Sequence, residues 1–239
     1  MTYTDTLIQR QKSIINKLCY IERGTKMKMI KERELVVDYG KKMLTRGLTT
    51  GSGGNISIYN RELGLIAISP SGLNYFETRV EDILIIDIDG NVVEGSIKPS
   101  SEIGMHLAFY KNREDANAIV HTHSKYATAV SCMGWELKPV HYLIGLAGTS
   151  IKCAKYATYG STELAQNAIQ AIEGRNAVLL GNHGLIALSS DVSKAFSIAE
   201  HLEFVSEIYC ITKSLGEPNI LSNDQMDDVM KKFNTYNYK

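Results

Sequence analysis

Leu84-Ile85-Ile86-Asp87-Ile88-Asp89-Gly90-Asn91-Val92-Val93 reads as two apolar runs joined through Asp89-Gly90, the composition of a hairpin. Such a pair makes at least part of the sheet antiparallel. Upstream, Ile56–Tyr59 alternates as a short strand, and Leu65–Ser69 is a further apolar run that stops at Pro70-Ser71-Gly72. Before these, Met27 to Gly47 repeats apolar residues at helical spacing, and a Gly-rich loop over Thr50–Asn55 follows.

Downstream, helices and strands mix. Ser100–Asn112 reads as a helix with Ser100 or Ser101 as N-cap, Ala118–His123 as a strand, and Ser124–Cys132 and Ser161–Ile172 as helices. Ala177–Leu180 and Leu185–Leu188 read as strands on either side of Gly181-Asn182-His183-Gly184. Val192–Leu215 is the longest helix, with an apolar stripe through Phe196, Leu202 and Val205, and Asn223–Phe233 is a short amphipathic segment. Hairpins mixed with helices predict a single-domain, layered α/β/α fold with a central, mostly antiparallel (mixed) sheet. Residues 1–26 carry their own weak helical pattern and read as an N-terminal extension to a domain over 27–239.

The 239 residues include 26 Lys+Arg against 26 Asp+Glu, for a formal charge of zero, and 44% are hydrophobic. That balance excludes a disordered chain and argues against a protein held to nucleic acid by bulk charge. An anion must then be held by local donors rather than by a basic surface. Cys19, Cys132, Cys153 and Cys210 lie far apart with no C-x-x-C pair, and read as small buried thiols in a reducing compartment. No run approaches the roughly 20 apolar residues of a membrane span. Asp5, Arg10, Lys12 and Lys17 interrupt any leader-like core, so a cytoplasmic protein without a membrane partner is expected.

His121-Thr122-His123 is the sharpest chemical feature. Residues two apart on a strand share a face, so both imidazoles project to one place. They are either half of a metal site or two hydrogen-bonded histidines near a surface. His183 sits in the tight connection between two apolar strands, which delivers it to a sheet edge or leaves it exposed in a turn. Glu102 opens a helix, where it is either a first-turn acid favoured by the helix dipole or part of a site. His106 lies one turn later on the same face, as a ligand or as a partner of one. Gly53-Gly54-Asn55, Ser71-Gly72 and Ser100-Ser101 combine small residues with free backbone N–H groups, which suit a phosphate without a basic patch.

In order, Ser52-Gly53-Gly54-Asn55-Ile56-Ser57, Ser69-Pro70-Ser71-Gly72, Lys98-Pro99-Ser100-Ser101-Glu102, Val120-His121-Thr122-His123-Ser124 and Gly181-Asn182-His183-Gly184-Leu185 resemble the class II aldolase/adducin family. The resemblance runs from about Glu32 to Tyr236. It implies that His121, His123 and His183 bind one Zn2+ per chain, or another divalent metal, with Glu102 as the fourth ligand and as the catalytic acid/base. Gly54, Asn55, Ser71, Gly72, Ser100 and Ser101 fall on the positions that hold the substrate phosphate. Tyr142 matches a catalytic tyrosine that reaches the site from a neighbouring subunit of a homotetramer. Tyr159 stands in the aldehyde pocket where the family pattern has phenylalanine, and Tyr236 belongs to a C-terminal tail over the site.

The implied reaction is metal-dependent, reversible cleavage of a ketose 1-phosphate to dihydroxyacetone phosphate and a small aldehyde. The expected substrate is L-fuculose 1-phosphate, giving L-lactaldehyde, and a deoxypentulose 1-phosphate would need the same site. The alternatives are a ribulose-phosphate 4-epimerase on the same fold and a non-catalytic, adducin-like interaction module.

Overall fold

A computed structural model describes residues 27–235, so the expected extension over 1–26 and Tyr236 lie outside the described residues. Residues 31–235 belong to one compact unit; the other unit, residues 1–30, is described only over a turn at 27–29 and the first residue of a helix.

The elements follow in the order α1 (Ile30–Thr45), β1 (Asn55–Asn60), β2 (Leu65–Ile68), β3 (Leu84–Asp87), β4 (Val92–Glu94), α2 (Ile103–Asn112), β5 (Ala118–Thr122), α3 (Lys125–Cys132), β6 (Cys153–Ala154), α4 (Thr162–Ile172), β7 (Ala177–Leu180), β8 (Gly184–Ser189), α5 (Val192–Leu215) and α6 (Asn223–Thr235). Short 3₁₀ turns occupy Val80–Asp82 and Tyr142–Leu146. The strands form one sheet in the order β4-β3-β2-β1-β5-β8-β7-β6. Every neighbouring pair is antiparallel except β6–β7, which is parallel. The expected mixed, mostly antiparallel sheet is the one observed. Its β3–β4 hairpin turns on Asp87, whose Oδ1 accepts the N–H groups of Asp89 and Asn91, each at 2.9 Å.

Helices cover both faces. On one, Ile66, Ile86, Ile119, Ile186 and Leu188 pack with Met105 and Phe109 of α2 and Leu164 of α4. On the other, α5 lies on β5 and β8 with α3 beside it, and Tyr39 of α1 meets Phe196 of α5 at 5.3 Å between ring centroids. Coverage on both faces explains why β5 and β7 are apolar runs without alternation, every residue of each being buried. Among the described residues, no helix is long and apolar enough to cross a membrane.

Capping follows the sequence in α4 and α5. Ser161 accepts the Leu164 N–H at 3.1 Å and Asp191 the Lys194 N–H at 2.9 Å. Two other starts differ from expectation. Helix α2 begins at Ile103, because the Ser100 hydroxyl accepts the Glu102 N–H at 3.2 Å and Glu102 keeps a non-helical backbone (φ −101°, ψ 13°). Neither Ser100 nor Ser101 is the residue next to the helix; Glu102 is. Helix α3 is capped from a distance. Glu203 of α5 accepts the Tyr126 and Ala127 N–H groups on its two oxygens, each at 2.9 Å, while Ser124 makes no side-chain cap. The three described thiols also correct their reading, since Cys132 is exposed and Cys153 and Cys210 are only partly buried, while Cys19 lies outside the described residues.

Candidate active site

The central strands set the site. Asn55 at the start of β1 is in register with His121 of β5, and His121 with Ile186 of β8. Gly54, with φ +67°, turns the chain into β1 so close that a Cβ there would stand 2.5 Å from the His121 carbonyl oxygen. At Gly184 a Cβ would meet the Thr122 carbonyl at 2.2 Å. Between them, Asn182 adopts φ +55°, and the His183 N–H closes the turn on the Leu180 carbonyl at 3.0 Å. Asn tolerates this conformation better than most residues, and the turn presents His183 beside β5.

Four side chains converge there. Ligand atoms of Glu102, His121, His123 and His183 all lie within 4.8 Å of one another. The Nε2 atoms of His123 and His121 are 2.9 Å apart, and those of His121 and His183 3.3 Å. Glu102 Oε2 is 3.2 Å from His121 Nε2, and Oε1 is 3.2 Å from His183 Nε2. Glu102 therefore turns away from a capping role and into the cluster. Burial tends to raise its pKa, but the charge and hydrogen bond of His121, with His183 and Asn55, hold the carboxyl well below the usual range. Burial and the neighbouring imidazoles push His123 and His183 down to about 4, so both rings are neutral near pH 7.

These residues fit a divalent cation. His121 Nδ1 lies 3.0 Å from the Leu185 carbonyl, which can only accept, so Nδ1 carries a hydrogen there and Nε2 is the nitrogen turned to the cluster. Converging lone pairs repel unless a proton or a cation lies between them. Glu102 Oε1 is buried and makes no hydrogen bond among the described residues. Three imidazoles and one carboxylate are a donor set used for zinc and related metals.

The cluster opens on a cleft of about 380 Å³. Gly54, Asn55, Ser71, Gly72, Ser100 and Ser101 all line it, although they come from three separate stretches of the chain, and Tyr159 lies on its wall. Among the described residues, no Lys or Arg lines the cleft. Asn55 is 3% exposed and its amide is engaged at both ends: Nδ2 donates to Glu102 Oε2 at 2.8 Å, and Oδ1 meets His106 Nε2. His106 is not in the four-residue cluster but stands behind Asn55. Tyr142 does not line the cleft of its own chain; it is 46% exposed on the turn Tyr142–Leu146, beside His141 and Phe233. The sequence reading did not single out Tyr156 or Asn182, which line the cleft, or the pair Ser57 and Tyr110 behind it. Spacing carried a signal for the last two. Glu102, His106 and Tyr110 recur every four residues, and Asn55 and Ser57 alternate on β1.

A family model described as the class II aldolase and adducin N-terminal domain matches residues 34–210. The 5-deoxy-D-ribulose 1-phosphate aldolase of Bacillus thuringiensis serovar kurstaki is 55% identical over 210 residues, covering 88% of this chain and 99% of that protein. The L-fuculose phosphate aldolase of Escherichia coli K12 is 38% identical over 203 residues, covering 84% and 93%. A solved structure of an L-fuculose 1-phosphate aldolase superposes with a TM-score of 0.84 at 46% identity, covering 85% of this chain and 96% of that one.

Proposed function

The chain belongs to the class II aldolase and adducin family, and we propose that this aldolase cleaves a 5-deoxypentulose 1-phosphate to dihydroxyacetone phosphate and acetaldehyde. The observation that carries the reading is the convergence of Glu102, His121, His123 and His183, three of which (Glu102, His123 and His183) line a cleft that no Lys or Arg among the described residues enters. The relative at 55% identity, named for 5-deoxy-D-ribulose 1-phosphate, favours the five-carbon substrate. The fuculose-phosphate enzymes at 38% and 46% identity support L-fuculose 1-phosphate as a second substrate, giving L-lactaldehyde.

His121, His123, His183 and Glu102 would hold the divalent ion, zinc in our reading. The chemistry such an ion supplies when bound is Lewis-acid polarisation of the ketone and compensation of the charge left as the C3–C4 bond breaks. Backbone N–H groups at Gly54 and Gly72, with the hydroxyls of Ser71, Ser100 and Ser101, hold the phosphate. Asn55 is assigned to Glu102 instead, because both ends of its amide are engaged.

In the synthetic direction Glu102 takes a proton from the hydroxymethyl carbon of dihydroxyacetone phosphate, and in cleavage it returns that proton to the same carbon, C3 of the ketose. The C4 hydroxyl loses its proton as the aldehyde carbonyl forms. In the synthetic direction Tyr142 of a neighbouring copy gives its phenolic proton to the oxygen developing on the aldehyde, and in cleavage the resulting phenolate takes the C4 hydroxyl proton back, a role supported by its exposure and by its absence from the lining of its own cleft. The tetramer, the cytoplasmic location and a tail cover through Tyr236 belong to the same reading.

The test is a coupled assay for free dihydroxyacetone phosphate over a panel of ketose 1-phosphates. Release should be fastest, by kcat/KM, with 5-deoxyribulose 1-phosphate. An epimerase would rebond the fragments without release, so no free product from any ketose 1-phosphate overturns the proposal. Mixing Glu102→Gln with Tyr142→Phe and reassembling should restore part of the activity if sites are shared. No recovery in verified mixed oligomers would place the whole site in one chain.

A further inference from the structure

A line of polar side chains runs from Glu102 away from the cleft and into the core. Asn55 Nδ2 donates to Glu102 Oε2 at 2.8 Å, and Asn55 Oδ1 meets His106 Nε2. His106 Nδ1 is 2.6 Å from Ser57 Oγ, and Ser57 Oγ is 2.7 Å from the Tyr110 hydroxyl. His106 and Ser57 are fully buried and Tyr110 nearly so. None of these three lines the cleft.

We infer that His106, Ser57 and Tyr110 are positioning residues that fix the Asn55 amide with its N–H toward Glu102. A carboxylate only accepts, so Asn55 must present its NH2 to Glu102 and its carbonyl to His106. A carbonyl in turn requires a hydrogen on His106 Nε2, which leaves Nδ1 as an acceptor for the Ser57 hydroxyl. Ser57, having donated there, accepts from Tyr110. The line thus has one direction, from Tyr110 to Glu102, and each member sets the next. Without it the two ends of the Asn55 amide are nearly the same shape, and a half-turn would aim a carbonyl at the carboxylate. Burying four polar groups where apolar packing would serve the core as well is consistent with a role in the site and not in bulk stability.

The inference rests on the proposed aldol reaction through Glu102, and two readouts keep the two apart. The full chain loaded with zinc is assayed for exchange of the hydroxymethyl hydrogen of dihydroxyacetone phosphate with solvent, which isolates the Glu102 step. Zinc affinity is measured separately by competition with a chelator. In His106→Leu, exchange kcat should fall about 10–100-fold and zinc affinity about tenfold, while KM for dihydroxyacetone phosphate stays within about twofold. His106→Gln, whose amide N–H can replace Nε2–H, should recover most of the loss. Ser57→Ala and Tyr110→Phe should show smaller falls in kcat, also without a rise in KM.

A folded His106→Leu variant with wild-type exchange and zinc affinity overturns the inference, as does a folded Gln variant no better than Leu. If His106→Leu fails to fold, Ser57→Ala and Tyr110→Phe decide: both at wild-type kcat overturn it. A wild-type enzyme that binds zinc but exchanges nothing overturns the proposed reaction instead. Unchanged zinc affinity in the folded variants then still overturns the relay.

Discussion

The Leu185 carbonyl holds the His121 Nδ1 hydrogen at 3.0 Å, so the backbone of β8 decides which nitrogen of a β5 histidine faces the cluster. A backbone acceptor cannot be mutated away by changing a side chain, so this orientation of His121 is built into the sheet. His121→Ala, His123→Ala or His183→Ala should each lower metal affinity by more than the roughly 10–100-fold typical of losing an outer partner. Glu102→Gln should keep much of the metal and lose turnover. Metal analysis beside kcat separates the two; Glu102→Gln at near wild-type turnover would remove its acid/base role.

Metal retention should depend on pH in a defined window. An unperturbed histidine protonates near 6.5, but His123 and His183 in the folded chain do so at about 4. At these two rings protons therefore compete with a metal only as pH falls toward 4, well below the ordinary histidine range. The metal-free protein behaves differently. Its unfolded state takes up protons near 6.5 and its folded state does not, so stability is fully present above 6.5 and declines as pH falls toward 4. Glu102, also held low, acts in the same direction below its ordinary range. Chemical denaturation of the metal-free chain at pH 7.5 and 5 checks the sign; equal or greater stability at pH 5 contradicts it.

Gly54→Ala should damage fold and site together. A non-Gly residue at φ +67° costs about 1–2 kcal/mol, and the 2.5 Å approach to the His121 carbonyl adds to it. Urea unfolding should show a loss of at least about 2 kcal/mol, with a fall in metal affinity as β1 moves from β5. Gly64→Ala serves as a control. It has a similar φ of +64° with nothing within 4 Å, so it should pay the conformational cost alone.

The phosphate reading predicts a change in KM. Ser71 and Ser101 are both exposed at the mouth of the cleft. Changing both to Ala should raise KM for the phosphorylated ketose, each lost bond to a charged group being worth about 1.5–3 kcal/mol at most. Metal content should stay the same. Equal losses on phosphorylated and unphosphorylated substrates would take these residues out of the phosphate site.

The sheet was legible because the hairpin at Asp87–Asn91 and the apolar runs of β5, β7 and β8 depend on local composition. The three histidines were legible as candidates because H-x-H on a strand and a histidine in a two-strand turn have little geometric freedom, whereas Glu102 read equally as a first-turn acid and joined them only through the family resemblance. Strand β6 was not, since two residues carry no period and their pairing depends on β7. The start of α2 was missed because Ser100 takes the Glu102 N–H and holds Glu102 outside the helix. The cap on α3 was also hidden, because Glu203 lies 76 and 77 residues from the N–H groups it accepts. The exposed thiol of Cys132 shows the same limit, since a small apolar residue on a helix is placed by neighbours that the local pattern does not name.

The sheet ends in very short strands, three residues of β4 on one side and two of β6 on the other. Edges that short offer too few free backbone groups for a second copy to continue the ladder. In the tetramer proposed above, copies of this chain would then cohere through side chains on turns and helices. The affinity between them is then open to tuning by single substitutions, and a dissociated subunit keeps its backbone bonds intact. Quaternary structure becomes a property that sequence change can adjust without renegotiating the fold.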